Sequence, residues 1–267
     1  MRKSQRVEFP GARGTLAGIL EIPSHIAIEE IRGWFLFSHC FTCNKDLKAI
    51  VRVARGLADH GWGVLRYDFS GLGNSQGTFS QTNFSTNCED LASAADFLST
   101  NFLNAPRFLI GHSFGGAASL AMANEILSCL GVITLAAPSD TQHLAKLLLR
   151  MDPAIGTDGT GQVTIGGQTL RIDKQMIDNF LAQDLPSKVK EMEKPLLIFH
   201  SPTDETVAYS HALKLMNSAD AIDGQLPYGN SSRSLVSLPG SNHLLTNNDR
   251  DIPFIVGTIH AWASRFI

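Results

Sequence analysis

Long apolar runs are missing from this sequence. The longest, around residues 130–138, falls far short of the roughly 20 residues a membrane-crossing helix needs. The N-terminus is charged at once, through Arg2, Lys3, Arg6 and Glu8, and no apolar stretch follows, so a secretory leader is not expected. Cysteine is scarce: four residues in 267 are too few for a disulfide framework. No dense Lys/Arg run exists, and a formal net charge of −3 argues against the basic face of a nucleic-acid binder. Internal repeats and low-complexity linkers are absent as well. These absences point to a soluble cytoplasmic protein that binds neither nucleic acid nor membrane.

What is present is an ordinary globular balance, 43% apolar and 18% charged, in a chain long enough for one large domain. Strand-like and helix-like segments alternate. Residues 6–9 and 14–22 read as an opening hairpin. Short strands follow at 33–39, 63–69, 107–111, 131–137, 195–201 and 234–238. Helical spacing appears at 47–60, 84–102, 115–127 and 251–266. Strands separated by helices imply parallel βαβ units, and runs such as Leu196-Leu197-Ile198-Phe199 suit strands buried on both faces. Residues 139–193 break the rhythm. They hold helical stretches at 144–149 and 174–181 and a hairpin at 162–172 around Gly166-Gly167. They read as a cap or lid insertion above the sheet within a single domain of residues 1–267.

The strongest chemical signal is Gly111-His112-Ser113-Phe114-Gly115. G-x-S-x-G alone is common, but here a buried strand precedes it and an alanine-rich helix follows. A sharp strand-to-helix turn lifts a serine hydroxyl clear of the sheet and puts the next N–H and the helix N-terminus near a developing oxyanion. Ser113 is therefore the candidate nucleophile. A serine hydroxyl needs a positioned base, which in this arrangement comes last, after a carboxylate. His243 lies in a loop just past the last strand, where ligands meet an open α/β sheet. His143, His200, His211 and His260 fall in helical stretches or beside a strand and read as packing or surface residues. Asp204, in the loop after strand 195–201, is the candidate acid, with Glu205 and Asp140 as competitors. Asp68 precedes Ser113 and reads as a support for the 70–73 loop.

Acyl transfer also needs two N–H donors. One would be Phe114, and the other Phe41 in Ser38-His39-Cys40-Phe41-Thr42-Cys43. That segment resembles the His-Gly-Phe loop of many α/β-hydrolases, with Cys40 at the glycine position. Together with Asn44-Lys45-Asp46, 67–75, 82–85, Ala136-Ala137-Pro138, 242–246 and 261–266, it resembles the hydrolase that forms the N-terminal half of α/β-hydrolase/OsmC-type fusion proteins. The likeness spans nearly the whole chain, and Cys-Phe-Thr-Cys is its most specific part. It implies the α/β-hydrolase fold, a mostly parallel sheet with helices on both faces. It also implies a carboxylesterase-like serine hydrolase acting on a small-molecule ester, and the modest size of the 139–193 insertion suggests small to medium acyl groups. The chain stops where the OsmC-type domain would start, so a stand-alone relative or a trimmed piece is expected, without peroxidase activity.

Thioesterase, serine peptidase and acyltransferase chemistry use the same triad. Epoxide hydrolases and haloalkane dehalogenases carry aspartate where Ser113 stands. Cys40 and Cys43 form a candidate redox pair, set against a reading as buried space-filling thiols. Alternatives of another class are a catalytically silent ligand-binding protein and a redox-sensing module built on these cysteines. No metal and no organic cofactor are expected.

Overall fold

The chain runs β1 (Arg2–Gly11), β2 (Gly14–Pro23), β3 (Trp34–Ser38), α1 (Lys48–Asp59), β4 (Gly63–Tyr67), α2 (Phe84–Asn101), β5 (Phe108–His112), α3 (Phe114–Met122) and β6 (Gly131–Leu135). It continues through α4 (Gln142–Met151), α5 (Ala154–Thr157), β7 (Thr160–Ile165), β8 (Gln168–Asp173), α6 (Lys174–Ala182) and α7 (Leu185–Lys190). It closes with β9 (Leu196–His200), α8 (Ser210–Asn217), β10 (Arg233–Ser237) and α9 (Asp251–Ala263). The structure is a computed structural model and describes residues 2–103, 105–218 and 232–267.

Eight strands form one sheet in the order β1-β2-β4-β3-β5-β6-β9-β10. β1 and β2 are antiparallel, as are β2 and β4, and every pairing from β4 to β10 is parallel. The period of two along each strand sorts the core. Phe35, Phe37, Phe108 and Ile110 face one side, where α1 and α9 bring Ile50, Val53, Leu57, Ile255 and Ile259. Trp34, Leu36 and Leu109 face the other, under α2 and α3. Helices therefore cover both faces of a largely parallel sheet, the α/β-hydrolase fold that the sequence implies. The segment between β6 and β9 carries α4 to α7 and its own two-stranded sheet, β7-β8.

Two expected boundaries shift the most. The first strand begins at Arg2 rather than at residue 6, because Arg2, Lys3, Ser4 and Gln5 form an exposed polar sheet edge. The helix expected over 115–127 stops at Met122. Beyond it Glu125 and Ile126 N–H groups both return to the Met122 carbonyl, and the chain turns to bury Ile126 and reach Gly131.

Candidate active site

The candidate nucleophile, base, acid and first oxyanion donor lie in loops at the C-terminal ends of parallel strands, the edge where an open α/β sheet meets its ligands, and Phe114 opens the helix after Ser113. Phe41 follows β3, Ser113 follows β5, Asp204 follows β9 and His243 follows β10.

Ser113 occupies the turn between β5 and α3 with φ 53° and ψ −121°. An L-residue there stores on the order of 1–3 kcal/mol of backbone strain. Its N–H donates to the Leu135 carbonyl at 2.8 Å, fixing the turn to β6. The flanking glycines are sterically required. A Cβ on Gly111 would run into Gly115 and Gly116, and one on Gly115 into the Ser38 and His39 carbonyls.

His243 is held at three points. Its Nδ1–H donates to Asp204 Oδ2 at 2.8 Å. Its backbone carbonyl accepts a hydrogen bond from His112 Nε2 at 2.8 Å. Its loop is braced by Ser241, whose hydroxyl donates to the Asp251 carboxylate, and by Asn242, whose side chain caps the Thr246 N–H at 2.9 Å. Among the described residues, none hydrogen-bonds Nε2 of His243 and none hydrogen-bonds the Ser113 hydroxyl. Both residues line one cavity of about 610 Å³. Catalytic contacts of this kind are often long before substrate binds.

Asp204 is the carboxylate that reaches the imidazole; among its competitors Glu205 lines a neighbouring polar pocket and Asp140 lies beside His143 and His211. Its Oδ1 accepts the Thr206 and Val207 N–H groups at 2.8 and 2.9 Å. Burial opposes its ionisation, but His243 and then these two N–H groups hold the carboxyl below its ordinary range. His200, buried, donates to the Val207 carbonyl at 2.8 Å and so closes the same loop.

The N–H groups of Phe41 and Phe114 find no acceptor among the described residues, and the two rings meet edge to face with centroids 5.4 Å apart. The Phe41 loop is held from several sides. His39 Nδ1–H donates to the Cys40 carbonyl at 2.7 Å while its Nε2 accepts the Phe69 N–H at 3.0 Å. Asp68, fully buried, takes the Lys45 N–H at 2.6 Å, the Lys45 ammonium at 2.8 Å and the Asn74 N–H at 2.8 Å.

Cys40 and Cys43 are joined by a disulfide. The reading of them as free space-filling thiols is thus corrected: the three-residue spacing and a turn from the Cys43 N–H to the Cys40 carbonyl bring the sulfurs together. Cys88 and Cys129 are free, and burial raises their thiols to about 12 and about 11.

Two histidines at the site carry no sequence signal. His112 is buried, and burial followed by the nearby His243 lowers its pKa to about 3, so it is a neutral Nε2–H donor. His143 lines the cavity from the first turn of α4. Among the described residues no group of three or more His, Cys, Asp or Glu is placed to hold a metal ion, and no helix is long and apolar enough to cross a membrane.

Such a fold and site define the class of α/β hydrolases. A family model described as serine aminopeptidase, S33, matches residues 31–157. The esterase domain of a Rhodothermus marinus protein is 38% identical over 99% of both chains, with a TM-score of 0.74. Est1E from Butyrivibrio proteoclasticus, solved with ferulic acid bound, shares the fold at 20% identity and a TM-score of 0.79, covering 94% of this chain and 95% of that one. An α/β serine hydrolase without lid from Xanthomonas campestris does so at 16% identity and a TM-score of 0.63, covering 97% and 95%. No curated protein sequence matches. The chain belongs to the esterase-like serine hydrolases of the α/β-hydrolase family.

Proposed function

We propose that this chain is a carboxylesterase in which Ser113, His243 and Asp204 form the catalytic triad. The observation that carries the reading is the His243 Nδ1–Asp204 Oδ2 hydrogen bond on the same cavity as a strained Ser113. With Nδ1–H committed to Asp204, Nε2 is the basic nitrogen, which takes the Ser113 proton as its oxygen attacks the ester carbonyl. The oxyanion that forms is met by the Phe41 and Phe114 N–H groups, each worth about 3 kcal/mol in such sites. His243 then protonates the departing alcohol. Water enters, gives its proton to His243, and releases the acid and Ser113.

Two facts favour an ester over a peptide. The 38% identical relative is an esterase domain. An aminopeptidase must also bind a free ammonium, yet Asp46, the one carboxylate on the main cavity wall among the described residues, is already taken by Arg66 at 2.6 Å and Lys45 at 3.2 Å. The segment between β6 and β9 serves as the lid, and the kinship with the hydrolase half of OsmC-type fusions and a cytoplasmic location belong to the same reading. Hydrolysis of short p-nitrophenyl esters tests it. Turnover by wild type that disappears in Ser113→Ala and His243→Ala supports the assignment, whereas equal rates in wild type and Ser113→Ala refute it.

A further inference from the structure

The α4 side of the cavity is built by His143, Leu144 and Leu147, with Pro138 and Ile165 beside them. His143 interrupts an otherwise apolar wall, and its imidazole is fixed at one edge. Nδ1 lies 3.1 Å from the Asp140 carbonyl oxygen. A carbonyl only accepts, so the proton sits on Nδ1. The Asp140 carboxylate stands back at 3.8 Å, between this ring and that of His211, whose centroid is 5.0 Å away and whose own Nδ1 is 2.9 Å from the Ser139 hydroxyl. Burial lowers the His143 pKa and outweighs the pull of Asp140, so the ring is neutral at pH 7. A neutral ring protonated at Nδ1 has a bare lone pair at Nε2. No described residue donates to that nitrogen, and the side chain keeps 26% of its surface open.

An oriented acceptor on an apolar wall discriminates in one direction. It favours a ligand that donates and disfavours one of the same shape that cannot. Gln168, also on this cavity, offers a donor and an acceptor and so accommodates any polar group. His143 cannot.

We propose that His143 is a specificity-determining residue: its Nε2 accepts a hydrogen bond from a hydroxyl on the portion of the substrate lodged against α4, so that the enzyme's substrates are esters of an apolar chain bearing a hydroxyl. The inference rests on Ser113 acting as the nucleophile, since it concerns the same cavity.

Matched esters provide the test. Methyl-terminated and hydroxyl-terminated chains of stepped length are compared, first on the acyl side and then on the alcohol side. Wild type is expected to prefer the hydroxylated member at one chain length by about tenfold in kcat/KM, the value of one well-placed hydrogen bond. His143→Phe brings that ratio to about one, and His143→Gln, which restores an acceptor, recovers part of it. Because a ratio is read, a general loss of activity does not imitate the effect. The same pairs are titrated calorimetrically against Ser113→Ala with and without His143→Phe. Tighter binding of the hydroxylated ester only where His143 is intact supports the role of His143 in recognising the hydroxyl; if no ester is then turned over, it is the esterase reading, and with it the ester as substrate, that falls. Equal binding and equal kcat/KM for both members at every length, or a preference that survives His143→Phe, overturns it.

Discussion

The imidazole of His112 donates through Nε2 to the backbone carbonyl of His243, 131 residues further along the chain, at 2.8 Å. The residue immediately before the candidate nucleophile thus sets the position of the candidate base. The end of β5 and the loop after β10, two strands that are not neighbours in the sheet, are coupled by one part-buried hydrogen bond.

Replacing His112 with Phe keeps the ring volume and removes the donor. His243 is then held by Asp204 and its own loop but not at its carbonyl. The expected result is a fall in kcat of about tenfold to a hundredfold with little change in KM, as misplacement of a catalytic group produces. Steady-state kinetics check it, and His112→Asn, which retains a donor, should recover part of the rate.

Asp204→Asn removes the charge that stabilises a protonated His243 while keeping the side chain's size. A loss in kcat on the order of 10³- to 10⁴-fold is expected, as for triads generally. Glu205→Gln makes no such change and should stay within about twofold of wild type in the same assay.

Acid should destabilise the protein well before its carboxylates titrate. Burial lowers the pKa of His112 to about 3, and lowers those of His39, His143, His200, His211 and His260 as well. Below about pH 6.5 the unfolded chain binds protons at these rings that the folded chain refuses, so stability falls as pH falls. For His112 the loss runs at about 1.4 kcal/mol per pH unit from roughly 6.5 to about 3. Asp204, held below its ordinary range, adds its own loss only at lower pH, as its folded carboxyl takes up a proton. Urea denaturation at pH 7, 6 and 5 measures the slope, which should flatten in His112→Phe.

The Cys40–Cys43 disulfide closes a small ring around Phe41, one of the two proposed oxyanion donors. The Cys40→Ser, Cys43→Ser double variant should lose kcat, but by less than the on the order of 10²-fold that loss of a whole donor costs. The reason is that His39 and the Lys45–Asp68 pair still hold the loop on either side. Wild type assayed with and without dithiothreitol should show the same drop, and the double variant should show none.

Local signals account for most of what the sequence reveals. Ser113 stands between two glycines whose positions leave no room for a side chain, and Asp204 lies past the buried apolar strand β9 and His243 past β10, in the order such sites use. The two remaining site histidines were hidden because their roles depend on partners distant in sequence or on the tautomer. His112 acts on a carbonyl 131 residues away. His143 looks like any polar residue in a helix until the Asp140 carbonyl fixes its proton. The short helices α5 and α7 escaped for a related reason: with four and six residues they carry no readable period. The cysteine pair is legible as a redox candidate from its spacing, but the bond itself is not, because composition argues against disulfides in general and is silent on one three-residue loop.

The most direct measurement is covalent capture. A fluorophosphonate reacts only with an activated serine, and peptide mass mapping then locates the adduct. A single adduct on Ser113, absent from Ser113→Ala and formed far more slowly by His243→Ala, is the predicted result. No adduct on well-folded wild type, or an adduct on a different serine that persists in Ser113→Ala, would contradict the account.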